Sequence, residues 1–186
     1  RLVIEGGISR QLGAAARDVG TSIAVRSLFF NTPARRKFLR HAETEARYVT
    51  QTVIQLASAY PAVAFQLRHE ERTTLDLRSG SKQERAADIL GLPVTELLHA
   101  TIDQDGITAQ LWMSTPGECR KSRAKQFCVV RQRPVYSRDV NQSIYSGFGG
   151  LLPHGRHPLF VLWLDLDPRQ VDVNVHPTKR EVKFSA

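Results

Sequence analysis

Val171, Val173 and Val175 alternate with Asp172, Asn174 and His176, and the run stops at Pro177. Two-residue alternation puts apolar side chains on one face of a strand and polar ones on the other, so the stretch reads as a strand with one buried and one wet face. Pro177 holds His176 extended and offers no N–H. The chain is therefore led out of a sheet into a short, stiff turn presenting Thr178, Lys179 and Arg180, and alternation resumes at Val182 and Phe184. A lysine at such a tip is a compact charge on a long stem that can reach a phosphate on a neighbouring body. The local pattern by itself favours the plainer reading of a solvated loop lysine.

Upstream, Leu2–Ile4 and Thr21–Phe30 read as strands, the second apolar at Ile23, Val25 and Leu28, with a weakly patterned Gly6–Gly20 between them as a loose hairpin. Thr32 as N-cap and Pro33 at the first helical position predict a short helix to about His41. A longer helix follows over Thr44–Tyr60, with Val49, Val53, Leu56 and Tyr60 spaced to form a core-facing ridge. Val63–Leu67 and Thr74–Leu77 alternate as a hairpin. Ser81 and Glu84 have capping-box spacing, Ala87, Ile89 and Leu90 give an apolar face, and Gly91 then Pro93 end that helix. Asp105-Gly106 predicts a second hairpin, with Ile107, Ala109, Leu111 and Met113 on one face. Thr115–Gln126 reads as a polar, mobile loop and Phe127–Val130 as a strand. Ser137 caps a helix over Arg138–Gly147 with Val140, Ile144 and Phe148 inward, Gly149–Pro158 connects, and Leu159–Leu166 is apolar enough for a strand buried on both faces. Strands and helices in this mixed order predict an α+β fold, with a mostly antiparallel mixed sheet and helices on one side.

Charge narrows the choice of partner. The 186 residues carry a formal +8, and the excess is concentrated. Arg35, Arg36, Lys37 and Arg40 form one acid-free group; Arg120, Lys121, Arg123, Lys125, Arg131, Arg133 and Arg138 form a second. Two such runs favour a polyanionic partner, nucleic acid before others. No apolar run approaches the roughly 20 residues a membrane helix needs. No secretion leader is expected, and a chain opening on Arg1 rather than Met is expected to be a fragment. Cys119 and Cys128 lack the Cys/His company of a zinc site, and reduced thiols are the expectation. His154 and His157, in a Gly/Pro loop, are a weak pair for a metal.

Self-contained catalysis is not expected. There is no Ser/His/Asp or Cys/His set in a recognisable local motif and no Gly-x-x-x-x-Gly-Lys-Ser/Thr loop. Asp165, Asp167 and Asp172 cluster, but at strand ends where carboxylates commonly face water.

Val171–Phe184, with its Val-His-Pro-Thr-Lys core, resembles the closing motif of the N-terminal region of MutL-family mismatch-repair proteins. Gly20-Thr21 followed by Leu28-Phe-Phe-Asn-Thr-Pro-Ala-Arg-Arg-Lys-Phe-Leu39 resembles that family's other long motif, in the family's order. The resemblance implies that residues 1–30 are the C-terminal tail of a GHKL ATPase domain and that 31–186 form a transducer domain with the ribosomal protein S5 domain 2-like fold. It implies ATP binding by Gly20, Thr21 and Lys179, with Lys179 in the catalytic role of reaching the γ-phosphate. Non-specific contacts to double- or single-stranded DNA are implied for Arg131, Arg133 and Arg138, then Lys121 and Arg123. ATP and Mg2+ are implied for the full-length ATPase, neither being held by this stretch alone, which is expected to hydrolyse nothing. The implied partners are DNA, a MutS-type mismatch sensor and a second copy joined by N-terminal homodimerisation on ATP binding. No membrane is implied, and the setting would be a bacterial cytoplasm, at the nucleoid. Where members usually show Val-Asn-Gly-Arg, this chain has Val130-Arg131-Gln132-Arg133, without the Asn-Gly pair; Tyr145 stands where some members place a DNA-contacting arginine.

Two other readings fit parts of the pattern. A stand-alone S5-like domain could bind RNA, though aromatic residues, the platforms single-stranded RNA stacks on, make up only 8% of the chain. A topoisomerase-type transducer would also point a lysine at ATP, but from a Gln-Thr-Lys loop and not His176-Pro177-Thr178-Lys179.

Overall fold

The computed structural model describes residues 1–16, 18–167, 169, 171–172 and 183–184. They fall into two compact units, Arg1–Ala46 and Arg47–Ala186, each taken here by itself.

In the first unit, β1 (Leu2–Glu5) pairs antiparallel with β2 (Ile8–Leu12). Gly6 and Gly7 both have positive φ, +60° and +87°, as a two-residue turn matched to strand twist requires. The hairpin is therefore tighter than the loose one expected over Gly6–Gly20. The strand expected over Thr21–Phe30 does not form. No described residue pairs with it, and the chain instead turns on Ser27 and Phe29, with Phe30 N–H bonded to Ser27 O at 3.0 Å. Helix α1 (Pro33–Arg36) begins at its proline as expected but stops well before His41. The chain beyond it tightens into i→i+3 bonds, and Arg40 N–H turns to Glu45 Oε1 at 3.0 Å.

In the second unit, a five-stranded sheet is built from β5 (Leu97–Gln104), β6 (Ile107–Ser114), β7 (Gln126–Val130), β8 (Arg133–Val135) and β9 (Phe160–Asp165), in the order β5-β6-β9-β7-β8. Only the β7–β9 pairing is parallel. The Asp105-Gly106 turn joins β5 to β6 with both residues at positive φ, as expected. β9 takes the centre, and Phe160, Val161, Leu162 and Trp163 are buried on alternate faces. This is why its sequence is apolar from Phe160 to Leu164.

Each face has its own core. Trp112, Phe127, Val129, Val161 and Trp163 pack with residues of α2 (Ala42–Ala59), α3 (Lys82–Leu90) and the hairpin of β3 (Phe65–His69) and β4 (Arg72–Leu77). Cys128, Val130, Phe160 and Leu162 pack with Val140 and Ile144 of α4 (Arg138–Phe148). The class is α+β with a mostly antiparallel sheet, as expected. Helices on one side holds for α2 and α3, whereas α4 covers the other face.

The capping box on α3 forms in full. Glu84 N–H donates to Ser81 Oγ at 3.2 Å, Ser81 N–H donates to Glu84 Oε2 at 2.7 Å, and Gly91 closes the helix in the left-handed region. Helix α2 turns a different face inward from the one expected. Val49 is 51% exposed and Leu56 44%, while Ala57 and Ser58 are fully buried. Small side chains let the helix backbone approach the sheet, and Trp163 Nε1–H reaches Ser58 O at 2.9 Å.

β10 (Val171–Asp172) pairs antiparallel with β11 (Lys183–Phe184), so the two ends of the closing motif lie together. Thr178, Lys179 and Arg180 lie outside the described residues. Among the described residues no helix is long and apolar enough to cross a membrane, and no group of three or more His, Cys, Asp or Glu side chains is placed to hold a metal ion.

Candidate nucleic-acid interface

The segment from 115 to 125, expected to be mobile, is tied down at several points. A short 3-10 turn, Pro116–Glu118, leads into Cys119, which is buried. Arg120 and His157 then exchange both backbone hydrogen bonds, at 2.9 and 2.7 Å. Arg120 also donates to Glu118 Oε2 at 2.8 Å. Lys125 Nζ donates to Leu90 O at 2.6 Å, placing a cation at the C-terminal end of α3 where the helix dipole favours one. Burial first, and Arg120 second, lower the Lys125 pKa below the ordinary lysine value. Lys121 and Arg123 are therefore exposed on a loop whose two ends are fixed.

Arg131 and Arg133 sit at the other end of β7. A five-residue strand spans about 16 Å, so the acid-free run is divided in space into two groups of cations. The β7–β8 connection keeps two residues, with Val130 paired to Arg133, although it lacks Asn-Gly. Arg131 (φ +47°) and Gln132 (φ +65°) both take the left-handed region, which L-residues occupy at a cost of roughly 1–2 kcal/mol each. Two contacts hold the turn. Arg131 N–H donates to Leu164 O at 3.0 Å, and its guanidinium lies 3.9 Å from Asp165. Arg133 is exposed at the start of β8. Arg138 opens α4, whose N-terminus is capped by Ser137 Oγ accepting from Val140 N–H at 3.3 Å.

Gly20 and Thr21 are exposed in the first unit, Gly20 at φ +138°, a conformation open to glycine and few others. Lys179, the third residue of the expected ATP-binding set, lies outside the described residues.

Sequence reasoning considered His157 only as a metal ligand and Tyr145 only by its position. In the structure Gln126 Nε2–H donates to Tyr145 Oη at 2.9 Å, Tyr145 Oη lies 2.8 Å from His157 Nδ1, and Arg123 Nε lies 3.4 Å from that same nitrogen. The Arg123 guanidinium carbon is 5.9 Å from the Tyr145 ring centroid, within cation–π range. Partial burial first, then Arg123, lower the His157 pKa. No local pattern encodes this grouping, because its members come from β7, α4 and two loops. Arg85 was overlooked for the same reason. It is 1% exposed, and its Nη2 donates to the carbonyls of Pro61, Val63 and Arg78 at 3.0, 2.6 and 2.8 Å. Its partners are all backbone oxygens, so its role is to bind segments of the fold together.

A family model described as "DNA mismatch repair protein, C-terminal domain" matches residues 87–186. The chain is 43% identical over 183 residues to the DNA mismatch repair protein MutL of Syntrophobacter fumaroxidans, covering 97% of this chain and 27% of that protein. It is 41% identical to MutL of Syntrophotalea carbinolica, covering 98% of this chain and 30% of that one. The chain thus spans about three-tenths of the length of these relatives. Among solved structures it resembles the ATPase domain of the mismatch repair endonuclease MutL of Aquifex aeolicus, with a TM-score of 0.68, 26% identity, and 96% of this chain and 65% of that one covered. It also resembles an Aquifex aeolicus MutL ATPase domain complexed with ADP, with a TM-score of 0.64, 26% identity, and 90% of this chain and 61% of that one covered.

Proposed function

Because the chain belongs to the MutL family of DNA mismatch repair proteins, we propose that it couples the ATP state of a neighbouring domain to DNA. Residues 1–30 are the tail of a GHKL-type ATP-binding domain, and 31–186 are the transducer that follows it. Gly20 and Thr21 complete the nucleotide site, and Lys179 carries a charge to the γ-phosphate, favouring a closed arrangement while that phosphate is present. ATP and Mg2+ are the cofactors of the whole ATPase. Its partners are DNA, a MutS-type mismatch sensor and a second copy joined through the N-terminal domains, in the cytoplasm at the nucleoid. Exposed apolar residues in the first unit support the division. Leu12, Ile23 and Val25, all within residues 1–30, are each more than 70% exposed, a surface that a larger domain would cover.

The observation that carries the DNA reading is the acid-free set Arg120 to Arg138, presented from anchored elements at both ends of β7. Arg131, Arg133 and Arg138 contact one stretch of backbone, and Lys121 and Arg123 another. Such contacts neutralise phosphates without reading bases, so affinity falls steeply with salt and varies little with sequence. An S5-like RNA-binding alternative would stack unpaired bases on exposed aromatic rings, and Tyr136, exposed between Arg133 and Arg138, is the ring this surface offers it.

The test uses the intact protein carrying this chain. Lys179→Ala lowers ATP turnover by tenfold or more, on the order of 1.4 kcal/mol in the barrier, and leaves the thermal midpoint within a degree or two. Turnover equal to wild type would remove Lys179 from the nucleotide site. Duplex binding that ignores salt would remove the basic groups from the DNA site.

A further inference from the structure

The Gln126 end of the basic surface holds more than charge. Gln126 from β7 and Tyr145 from α4 meet His157 and Arg123 from two separate loops. His157 Nδ1 faces two donors at once, the Tyr145 hydroxyl and Arg123 Nε–H. Tyr145 Oη already accepts from Gln126, which leaves its own proton to give. Arg123 Nε–H can only donate, so Nδ1 carries the lone pair, and the imidazole is neutral with its proton on Nε2. The geometry fixes the tautomer.

We propose that Arg123 and His157, steadied by Tyr145, form a phosphodiester contact for nucleic acid that closes with the uptake of one proton. The proposal rests on the DNA-binding reading above. A proton arriving from solvent on Nδ1 takes away the acceptor of Arg123 Nε–H and reverses the bond to Tyr145, whose Oη can then accept from Nδ1–H. A phosphate oxygen supplies the acceptor that Arg123 has lost, and it can receive from His157 Nδ1–H as well. Both bonds then join a cationic donor to an anionic acceptor, whereas the contacts they replace end on a neutral imidazole.

The surroundings explain why the proton waits for an anion. The charged and titratable groups around His157 are Arg120 and Arg123 from the preceding segment, Glu118 paired to Arg120, and Tyr145 from α4; β7 presents the neutral Gln126, and Lys125 is turned to Leu90 O. Arg156 adjoins it in the chain. Glu118 already bonds Arg120, and among the described ion pairs none includes Arg123. An added phosphate is the counter-charge this cluster lacks.

The experiment measures binding of a fluorescein-labelled duplex of mixed sequence to the intact protein at pH 8 and pH 6 over a range of salt. Wild type gains about three- to tenfold in affinity at the lower pH, and its slope of log affinity against log salt steepens by about one unit, the signature of one added phosphate contact. His157→Gln retains an acceptor for Tyr145 and Arg123 but cannot take up the proton, and it shows neither change. A His157→Gln protein that follows wild type overturns the proposal while leaving the DNA reading intact. If neither protein binds duplex at low salt, both readings fall. Arg133→Ala, at the far end of β7, weakens binding equally at the two pH values. A second measurement needs no altered affinity. In wild type the imidazole resonance assigned by its loss in His157→Gln shifts its titration midpoint upward on addition of duplex. An equal shift produced by ATP at the same phosphate concentration would mark a nucleotide site and overturn the nucleic-acid assignment.

Discussion

Trp163 Nε1–H donates to the backbone carbonyl of Ser58 at 2.9 Å, joining the central strand to a helix 105 residues earlier in the chain. The contact forms because Ala57 and Ser58 are small enough to let the helix axis come down on the sheet. It also explains why α2 buries Ala57 and Ser58, packs a half-buried Ile54 against the core, and leaves Val49 and Leu56 half open.

Two substitutions on α2 should therefore behave opposite to what hydrophobicity alone suggests. Ala57→Leu introduces side-chain volume where the helix meets Trp163 and should destabilise by about 1–3 kcal/mol. Val49→Ala should cost less than about 0.5 kcal/mol. Urea midpoints with unchanged m-values decide this. A silent Ala57→Leu would show that α2 packs with its larger residues inward.

That reversal marks where the chain was legible and where it was not. Most patterns closed within a few residues were read correctly: the Ser81–Glu84 box, the Asp105-Gly106 turn and the cap on α4; the exception is Thr32, whose side chain makes no cap bond to α1. So was Leu159–Leu166, a near-continuous apolar run interrupted at Asp165, whose buried part, Leu159 to Trp163, leaves no face for water. Features needing distant partners were misread. Thr21–Phe30 has strand composition, yet a strand exists only beside another, and no described residue pairs with it. The segment around Lys121 reads as a free loop because its tether, the Arg120–His157 pair, comes from a residue 37 positions away. The candidate site was half legible. Charge singled out Arg123, but nothing local joins it to Tyr145 and His157.

Arg85 should prove among the least replaceable residues of the second unit. Its Nη2 bridges Pro61, Val63 and Arg78, while Nε and Nη1 have no protein partner, so the guanidinium is buried for the sake of those carbonyls. Removing it takes that donor from all three, and Pro61 O keeps Gly80 N–H at 3.0 Å. Arg85→Ala should destabilise by about 3–5 kcal/mol. Arg85→Met, which restores bulk without donors, should recover only part of the loss. Full recovery by methionine, measured by chemical unfolding, would show that packing alone matters there.

The β7–β8 turn separates stability from binding. Gln132→Gly relieves a left-handed conformation and should stabilise by about 0.5–1 kcal/mol, net of the entropy that glycine adds to the unfolded chain. It should leave the salt dependence of duplex binding unchanged. Arg133→Ala should do the reverse, leaving the melting point alone and lowering the salt slope by about one unit. If Gln132→Gly weakened duplex binding, the turn's shape and not its charge would be what the DNA senses.

The α3 cap supplies a pH test whose sign is fixed by its hydrogen bonds. Glu84 accepts from Ser81 N–H at 2.7 Å, and this bond, with a further one from the Ser81 hydroxyl, holds its pKa below the ordinary carboxylate value. Folding thus favours the ionised form. The stabilisation is present in full above the unfolded carboxyl's pKa, near 4.3, and is lost as pH falls through the lower folded value. Glu84→Gln keeps an acceptor but has no charge to lose. Thermal midpoints of wild type and variant should differ at pH 7 and draw together between about pH 4 and pH 2 as wild type gives up its advantage. A gap that stayed constant across that range would mean that Glu84 acts at the helix start through shape and not through its charge.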